Sequence, residues 1–313
     1  QEVARRANVV PSTVSKVLND YKGISRETRE RVLLAVSELN YRPNRAARSF
    51  RTGTTQTASV FIPQIGSDFF DRLITAIDEE LAAHDYDAAL FPLLNERRLE
   101  RYRSPDALPY QADGVIMASL NPDWLFPDAK LPVTLPAVLV DAYHAHYDTV
   151  TVDNAGGAYA ATRHLLEQPG ELFMVTLPTG RNTFASGVFI ERLKGFRRAL
   201  KEAGERFDKA NIFEVEFTTE GGRGALREIL KRARNPINIF AGCDLLAKGI
   251  LEETQSQALI AGTDLRLVGF DDQPWAEGLN LSTVRQDVEA LGREAVRLLH
   301  ARLKDCERDA VHK

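Results

Sequence analysis

Apolar and polar residues follow two different rhythms along this chain. Over the first 40 residues, apolar positions recur at helical spacing in three short blocks. Val3, Ala4 and Ala7 share one face of the first. Val14, Val17 and Leu18 fall at i, i+3 and i+4 in the second, and Val32, Ala35, Val36 and Leu39 line the third. Asn8, between the first two blocks, tolerates the left-handed backbone of a sharp turn. Pro11 suits the first position of a new helix. Ser25 is placed to cap the third block, and Glu27 complements its first-turn dipole. Two helices joined by so tight a turn predict a helix-turn-helix unit.

From Thr57 onward the rhythm changes to short apolar runs separated by helical patterns. ASVFIP, DAALFPLL, GVIMAS and AVLVD read as buried strands of a parallel sheet, with a helix from Phe69 to His84 between the first two. A second series follows: LFMVT, IFEVEF, NIFAG and LRLVGF. Its helices are predicted near Gly156–Glu167, Phe189–Ala203, Gly222–Ala233 and Asp244–Gln257, and a last helix spans Val288–Leu303. The fold class is therefore α/β: two doubly wound halves behind a helical head, with any ligand at strand C-terminal ends between the halves.

The chain has 313 residues, more than one core comfortably serves, and 44% are hydrophobic, which places it among globular rather than disordered chains. No apolar run approaches the roughly 20 residues a membrane helix needs, and no signal-peptide pattern is present. Cys243 and Cys306 form no CxxC pair, so neither a disulfide framework nor a zinc ribbon is expected, and a cytoplasmic location is. Charge divides the chain. Residues 1–55 carry 11 basic and 5 acidic residues, a net +6, against 29 basic and 39 acidic in the rest, a net −10. A basic head on an acidic body points to a polyanion partner for the head.

With Val14, Val17 and Leu18 turned inward, Ser12, Thr13, Ser15 and Lys16 face outward. Short hydroxyls and one cation at the start of a helix suit phosphate oxygens and major-groove base edges. The stretch PNRAARSFRTGTT follows. Residues 44–51 could form two helical turns, yet so short a helix is not stable alone, since about 12–15 residues are marginal in water. Ordering it calls for an external support, such as DNA together with a symmetry mate.

In the body, GxGxxG after a strand, a Walker loop, HExxH and GxSxG are all absent, so no enzyme activity and no cofactor are expected. His144 and His146, near Asp141 and Asp148, read as a solvated loop rather than a metal site. Cys243 reads as a small buried thiol. A binding constellation is easier to assemble. Phe69 and Phe70 follow the first strand, Asp141 ends the fourth, Phe217 ends a strand of the second half, Arg192 precedes LKGF, and Asp271 closes VGFDD. Carboxylates and an arginine fork near aromatic walls suit a polyhydroxylated or planar polar ligand. Taken singly, the same residues also read as core aromatics, a helix-surface arginine and turn acids.

VARRANVVPSTVSKVLND and ISRETRERVLLAVSELNYRPNRAARSF together resemble the head of the LacI/GalR family of bacterial transcription regulators over about fifty consecutive positions. Asn8 stands where that family usually has Gly, and Val10 where it has a capping Ser. The resemblance implies a helix-turn-helix DNA-binding domain over 1–44 and a hinge over 45–56. It implies a periplasmic-binding-protein-like core with subdomains over 57–153, joined again by 282–303, and over 154–281, the two interleaved through three connections. Pro11, Ser12 and Lys16 would read bases, Thr13 and Ser15 would contact the DNA backbone, and Asn19 would brace the next loop. In the hinge, Asn44, Arg45, Ala47 and Arg48 would contact DNA with Arg51 alongside phosphates, and Phe50 would wedge into the minor groove in place of the family's leucine. Arg192, Asp271, Asp141 and Phe217 match effector contacts, Phe69 and Phe70 flank the pocket, and Cys243 replaces a polar residue. The implied protein is a homodimeric repressor of pseudo-palindromic operator DNA, gated by a small carbohydrate-like effector. Nothing like the family's tetramerising tail follows Leu303. A regulator gated by a partner protein, and a plain solute-binding protein, are the alternatives.

Overall fold

The three helical blocks fold as α1 (Glu2–Arg6), α2 (Pro11–Leu18) and α3 (Arg26–Glu38) in a computed structural model. It describes residues 1–18, 21–41, 53–93, 97, 112–120, 122, 135–178, 187–233 and 236–313. Those residues divide into two compact units, Gln1–Thr55 and Gln56–Lys313. In the first, Asn8 takes φ +52 at the turn, Pro11 opens α2, and the Ser25 hydroxyl accepts from the Thr28 amide at 3.3 Å. Val3, Ala4, Ala7, Val14, Val17, Val32 and Ala35 form its core, with Leu18 and Val36 packed against it. Leu39 departs from the predicted stripe. It lies one residue beyond the end of α3, and its side chain is 40% exposed.

The second unit holds two five-stranded sheets, parallel throughout. The first subdomain contains β1 (Thr57–Ile62), α4 (Asp68–Ala83), β2 (Asp87–Pro92), β3 (Gly114–Ala118), β4 (Ala137–Val140) and β5 (Asp148–Val150), in the order β2-β1-β3-β4-β5. The second contains α5 (Asn154–Leu166), β6 (Glu171–Thr176), α6 (Val188–Ala203), β7 (Ile212–Glu214), α7 (Thr219–Leu230), β8 (Ile237–Ala241), α8 (Asp244–Ser256), β9 (Leu265–Asp271) and β10 (Ser282–Arg285), in the order β10-β9-β8-β6-β7. Both orders are the same doubly wound pattern, whose crevice opens at the carboxyl ends of the strands. Central strands β3, β4 and β8 are buried along their whole length, because apolar side chains pack on both faces of each sheet. In the second subdomain α5 lies against α6 and α7 against α8. A Cβ on Gly195 would strike the Ala155 carbonyl, and one on Gly249 the Thr219 carbonyl, so these helix pairs approach at a distance only glycine permits.

The helix α9 (Val288–Lys304) returns to the first subdomain, where Val288, Leu291, Ala295 and Leu299 pack with Leu73 and Ile77 of α4. The predicted return over 282–303 therefore splits. Residues 282–285 form β10, which pairs with β9 in the second sheet, and the crossing follows it. Among the described residues, connections between the subdomains run through 151–153 and 286–287, and residues 305–313 make no further crossing. Residues 311–313 instead run beside β5. The Thr149 amide donates to the Val311 carbonyl at 2.8 Å, and the Lys313 amide to the Thr149 carbonyl at 2.9 Å. Asp148, fully buried in β5, anchors this tail through Arg302, Arg308 (2.6 Å) and the Val311 amide (2.7 Å).

Candidate functional site

Two regions gather the residues singled out in the sequence. On α2, Pro11, Ser12 and Lys16 are exposed, while Thr13 and Ser15 are half-buried rather than fully outward. Eight residues make little more than two turns, so burying Val14 and Val17 draws their helical neighbours partly against the core. The Lys16 ammonium lies 5.5 Å from the centroid of the exposed Tyr21 ring. Arg29 fixes that tyrosine's backbone by donating to its carbonyl at 2.9 Å. Tyr21 was not singled out in the sequence, although a tyrosine five residues beyond an exposed lysine is a usable signal. Asn19, Asn44, Arg45, Ala47, Arg48, Phe50 and Arg51 lie outside the described residues.

In the second unit, strand ends deliver polar groups to one buried cluster. Asp141 follows β4, Asp271 ends β9, and Arg192 lies one turn into α6. All three are buried, at 4%, 7% and 2% exposure. The Arg192 Nε donates to Asn154 Oδ1 at 2.9 Å and its Nη1 to the Gly242 carbonyl at 2.5 Å, and Asp271 Oδ1 lies 3.7 Å from Nη1. The guanidinium stacks over Phe270, 3.8 Å from the ring centroid, with Phe189 5.1 Å away. Ser119, at the end of β3, donates to Asp141 Oδ2 at 2.9 Å, and Gln286, after β10, donates to Asp271 Oδ1 at 2.5 Å. Burial pushes the Asp141 carboxyl above its ordinary range, with Arg192 and the Ser119 and Asn154 hydrogen bonds opposing that shift. Burial also raises Asp271, to about 7, assisted by the Asp244 and Asp141 charges and resisted by Arg192 and Gln286. Cys243 is buried beside these groups, and desolvation moves its thiol far above the usual range, so it is inert as a nucleophile.

The backbone here is strained. Ser119 (φ +51), Asp141 (+54), Asp271 (+135) and Asp272 (+55) are all non-glycine residues at positive φ, at a cost of about 1–3 kcal/mol each. Among the described residues, four buried polar atoms at these strand ends, Asp141 Oδ1, Thr176 Oγ1, Gln273 Oε1 and Gln286 Oε1, have no hydrogen-bond partner. Backbone strain and unpartnered buried polar atoms thus gather at the same strand ends.

The structure brings Asp141, Arg192, Cys243 and Asp271 together, but leaves the aromatics apart. Phe69 and Phe70 meet edge to face, 5.2 Å between centroids, inside the first subdomain's core. Phe217 does not end a strand, because β7 stops at Glu214; its ring is half-buried on the second subdomain's core. Ser119, Asn154, Thr176 and Gln286 were missed. For Ser119 and Thr176 the available signal was the polar residue that closes the apolar runs GVIMAS and LFMVT. His144 and His146 belong to a turn after β4, and among the described residues no cluster of three His, Cys, Asp or Glu could hold a metal ion.

A family description of bacterial regulatory proteins of the lacI family matches residues 1–44, and one of a periplasmic binding protein-like domain matches residues 162–313. The chain is 30% identical over 310 residues to the HTH-type transcriptional repressor PurR of Shigella dysenteriae, covering 97% of this chain and 89% of that one. A probable transcription regulator from Thermus thermophilus is similar in structure, with TM-score 0.69 and 38% identity over 82% of this chain and 92% of that one. So is the transcriptional regulator CelR in its cellobiose complex, with TM-score 0.74 and 27% identity over 99% and 94%.

A helix-turn-helix unit on the same chain as a two-subdomain body with a polar crevice defines a class of regulator that carries a nucleic-acid reader and a ligand-type cleft. Within that class, this chain belongs to the LacI family of bacterial regulatory proteins. Its relatives are transcription repressors rather than enzymes. Among the described residues, no helix is long and apolar enough to cross a membrane.

Proposed function

We propose that the protein is a repressor of transcription that binds operator DNA as a homodimer and is gated by a small polyhydroxylated effector in the crevice of its body. The observation that carries this reading is the buried cluster of Arg192, Asp141 and Asp271 with its unpartnered acceptors. Hydroxyl groups of a carbohydrate would donate to Asp141 Oδ1 and Gln286 Oε1. The CelR relative was solved with a neutral disaccharide, which supports a sugar or sugar derivative here. On the DNA side, Pro11, Ser12 and Lys16 are read as groove-facing and Thr13 and Ser15 as backbone contacts. Arg45, Arg48 and Phe50 would engage the minor groove between paired heads. Two symmetric heads imply a pseudo-palindromic site.

The test has two arms. Lys16→Ala should weaken binding to selected operator DNA about tenfold and lower the salt slope by about 1, as expected for one lost cationic contact; an unchanged slope would reject the helix assignment. A thermal-shift screen with free sugars, nucleosides and sugar phosphates should yield at least one ligand whose effect is lost in Arg192→Ala. A screen without any hit would favour gating by a protein partner.

A further inference from the structure

Apart from the polar cluster, the two subdomains meet through side chains on the turn that follows β9. Trp275 Nε1 donates to Asp68 Oδ2, in the first turn of α4, at 2.6 Å, although the two residues are 207 positions apart. One turn further along α4, Arg72 donates to the Asp272 carbonyl at 3.4 Å while its Nε and Nη2 hold Glu289 of α9 at 2.8 and 2.9 Å. The Trp275 ring belongs to the second subdomain. It packs on that core and lies 5.3 Å below the Lys248 ammonium.

The turn is also tied to the buried cluster at its other end. Asp271 faces Arg192 and accepts from Gln286, and the Gln273 amide donates to Asp244 Oδ2 at 2.9 Å. Between these ties the backbone has little freedom, with consecutive positive φ values at Asp271 and Asp272 and an Asp272–Arg285 ion pair at 2.5 Å. Five residues therefore span from the crevice to α4. A hinge motion about 151–153 and 286–287 has to carry α4 with this turn or break the Trp275–Asp68 bond.

We propose that the 271–275 turn is a catch between the subdomains, with the Trp275–Asp68 hydrogen bond as its release point, and that it relays the condition of Asp271 to the first turn of α4. Its regulatory use rests on the crevice being the effector site; the catch itself is independent of that reading. Because the bond is exposed to water at α4 and anchored in a core at Trp275, it can open without unpacking either subdomain.

The test uses the full chain without ligand. Spin labels at Glu79→Cys and Lys201→Cys, in a Cys306→Ser background, report the spread of distances between subdomains by double electron–electron resonance. Trp275→Phe keeps an aromatic ring and removes the donor, and Asp68→Ala removes the acceptor. Each should at least double the width of the distribution, and the double variant should be no wider than either single one. Asp68→Asn, which retains an acceptor, should stay narrow. Unchanged widths in both single variants, or additive widening, would overturn the catch; if Trp275→Phe fails to fold, Asp68→Ala decides alone. Relay is read separately, with Trp124→Phe leaving Trp275 as the sole tryptophan. Asp271→Asn should raise acrylamide quenching of Trp275 about twofold, and quenching equal to the parent would overturn the relay. As neither arm uses an effector, failure to find one would count against the proposed function and leave these results standing.

Discussion

The head and the body solve the problem of stability with different materials. Among the described residues, the head's buried core consists of four valines and three alanines, with no aromatic ring and no leucine fully inside. The body fills its cores with Phe61, Phe173, Phe196, Phe240 and Phe270, each nearly inaccessible to water. At the same time the head leaves Val10, Tyr21, Leu33, Leu34, Leu39 and Tyr41 exposed, as many large apolar side chains as the far longer body shows among its described residues. A unit of this size with so little buried apolar area is marginal on its own and depends on local devices such as caps, turn residues and i,i+4 ion pairs. In the body the surplus of burial offsets strain and buried charge at the crevice. The comparison teaches that the head is held by local signals, and the body's site by contacts that only tertiary structure can make.

The sharpest way to break that contrast is to attack the body's buried charge. Arg192→Ala leaves the buried Asp141 and Asp271 carboxyl groups without their cation, and should destabilise the body by about 3–5 kcal/mol. Hydrogen exchange measured by mass spectrometry should show the loss in body peptides and none in residues 1–41; equal loss in both would mean the two units do not respond separately.

Asp271 sharpens the contrast through pH. Its carboxyl rises from an ordinary 3.8 to about 7 in the folded protein, so between those values the folded state holds a proton that the unfolded chain has released. Its contribution to stability is complete below about pH 4 and is lost as pH rises to about 7, amounting to roughly 2–4 kcal/mol. Urea melts of Asp271→Asn should lack this part of the pH dependence, while the head's exchange protection should follow the parent at every pH. A variant with the parent's slope would remove Asp271 as the source.

The smallest effect belongs to the head. Ser25→Ala deletes the hydroxyl that accepts from Thr28 and should cost about 1 kcal/mol, confined to α3 and its neighbours. Fluorescence or exchange changes in the body of similar size would contradict the division into two units.

How much was legible in the sequence follows the same line. Asn8, Pro11 and Ser25 act on residues one to three positions away, so a linear reading finds them and the structure bears them out. The apolar runs of both sheets were legible because parallel strands buried on both faces are apolar throughout. Phe217 was misread as a strand end because the alternation in IFEVEF continues after the chain has left the ladder at Glu214. The partners of Arg192 were only half legible. Asp271 and Asp141 could be suspected as strand-end acids, whereas Asn154, Gly242 and Gln286 reach the cluster through sheet order, which no local pattern reveals. The Asp68–Trp275 bond was invisible for the same reason, since each residue taken alone resembles an ordinary turn or cap.

The separation of α9 and residues 311–313 from the rest of their subdomain has a consequence for assembly on the ribosome. Residues 154–285 are contiguous and contain every strand of the second sheet, so that subdomain can close while the chain is still being made. The first subdomain is synthesised earlier yet must wait: α4 stays uncovered until α9 emerges more than 200 residues later, and β5 keeps an open edge until Val311 arrives. The earlier-made sheet is thus the later to mature, and the nascent chain spends that interval with an apolar helix face and a strand border that a chaperone would recognise.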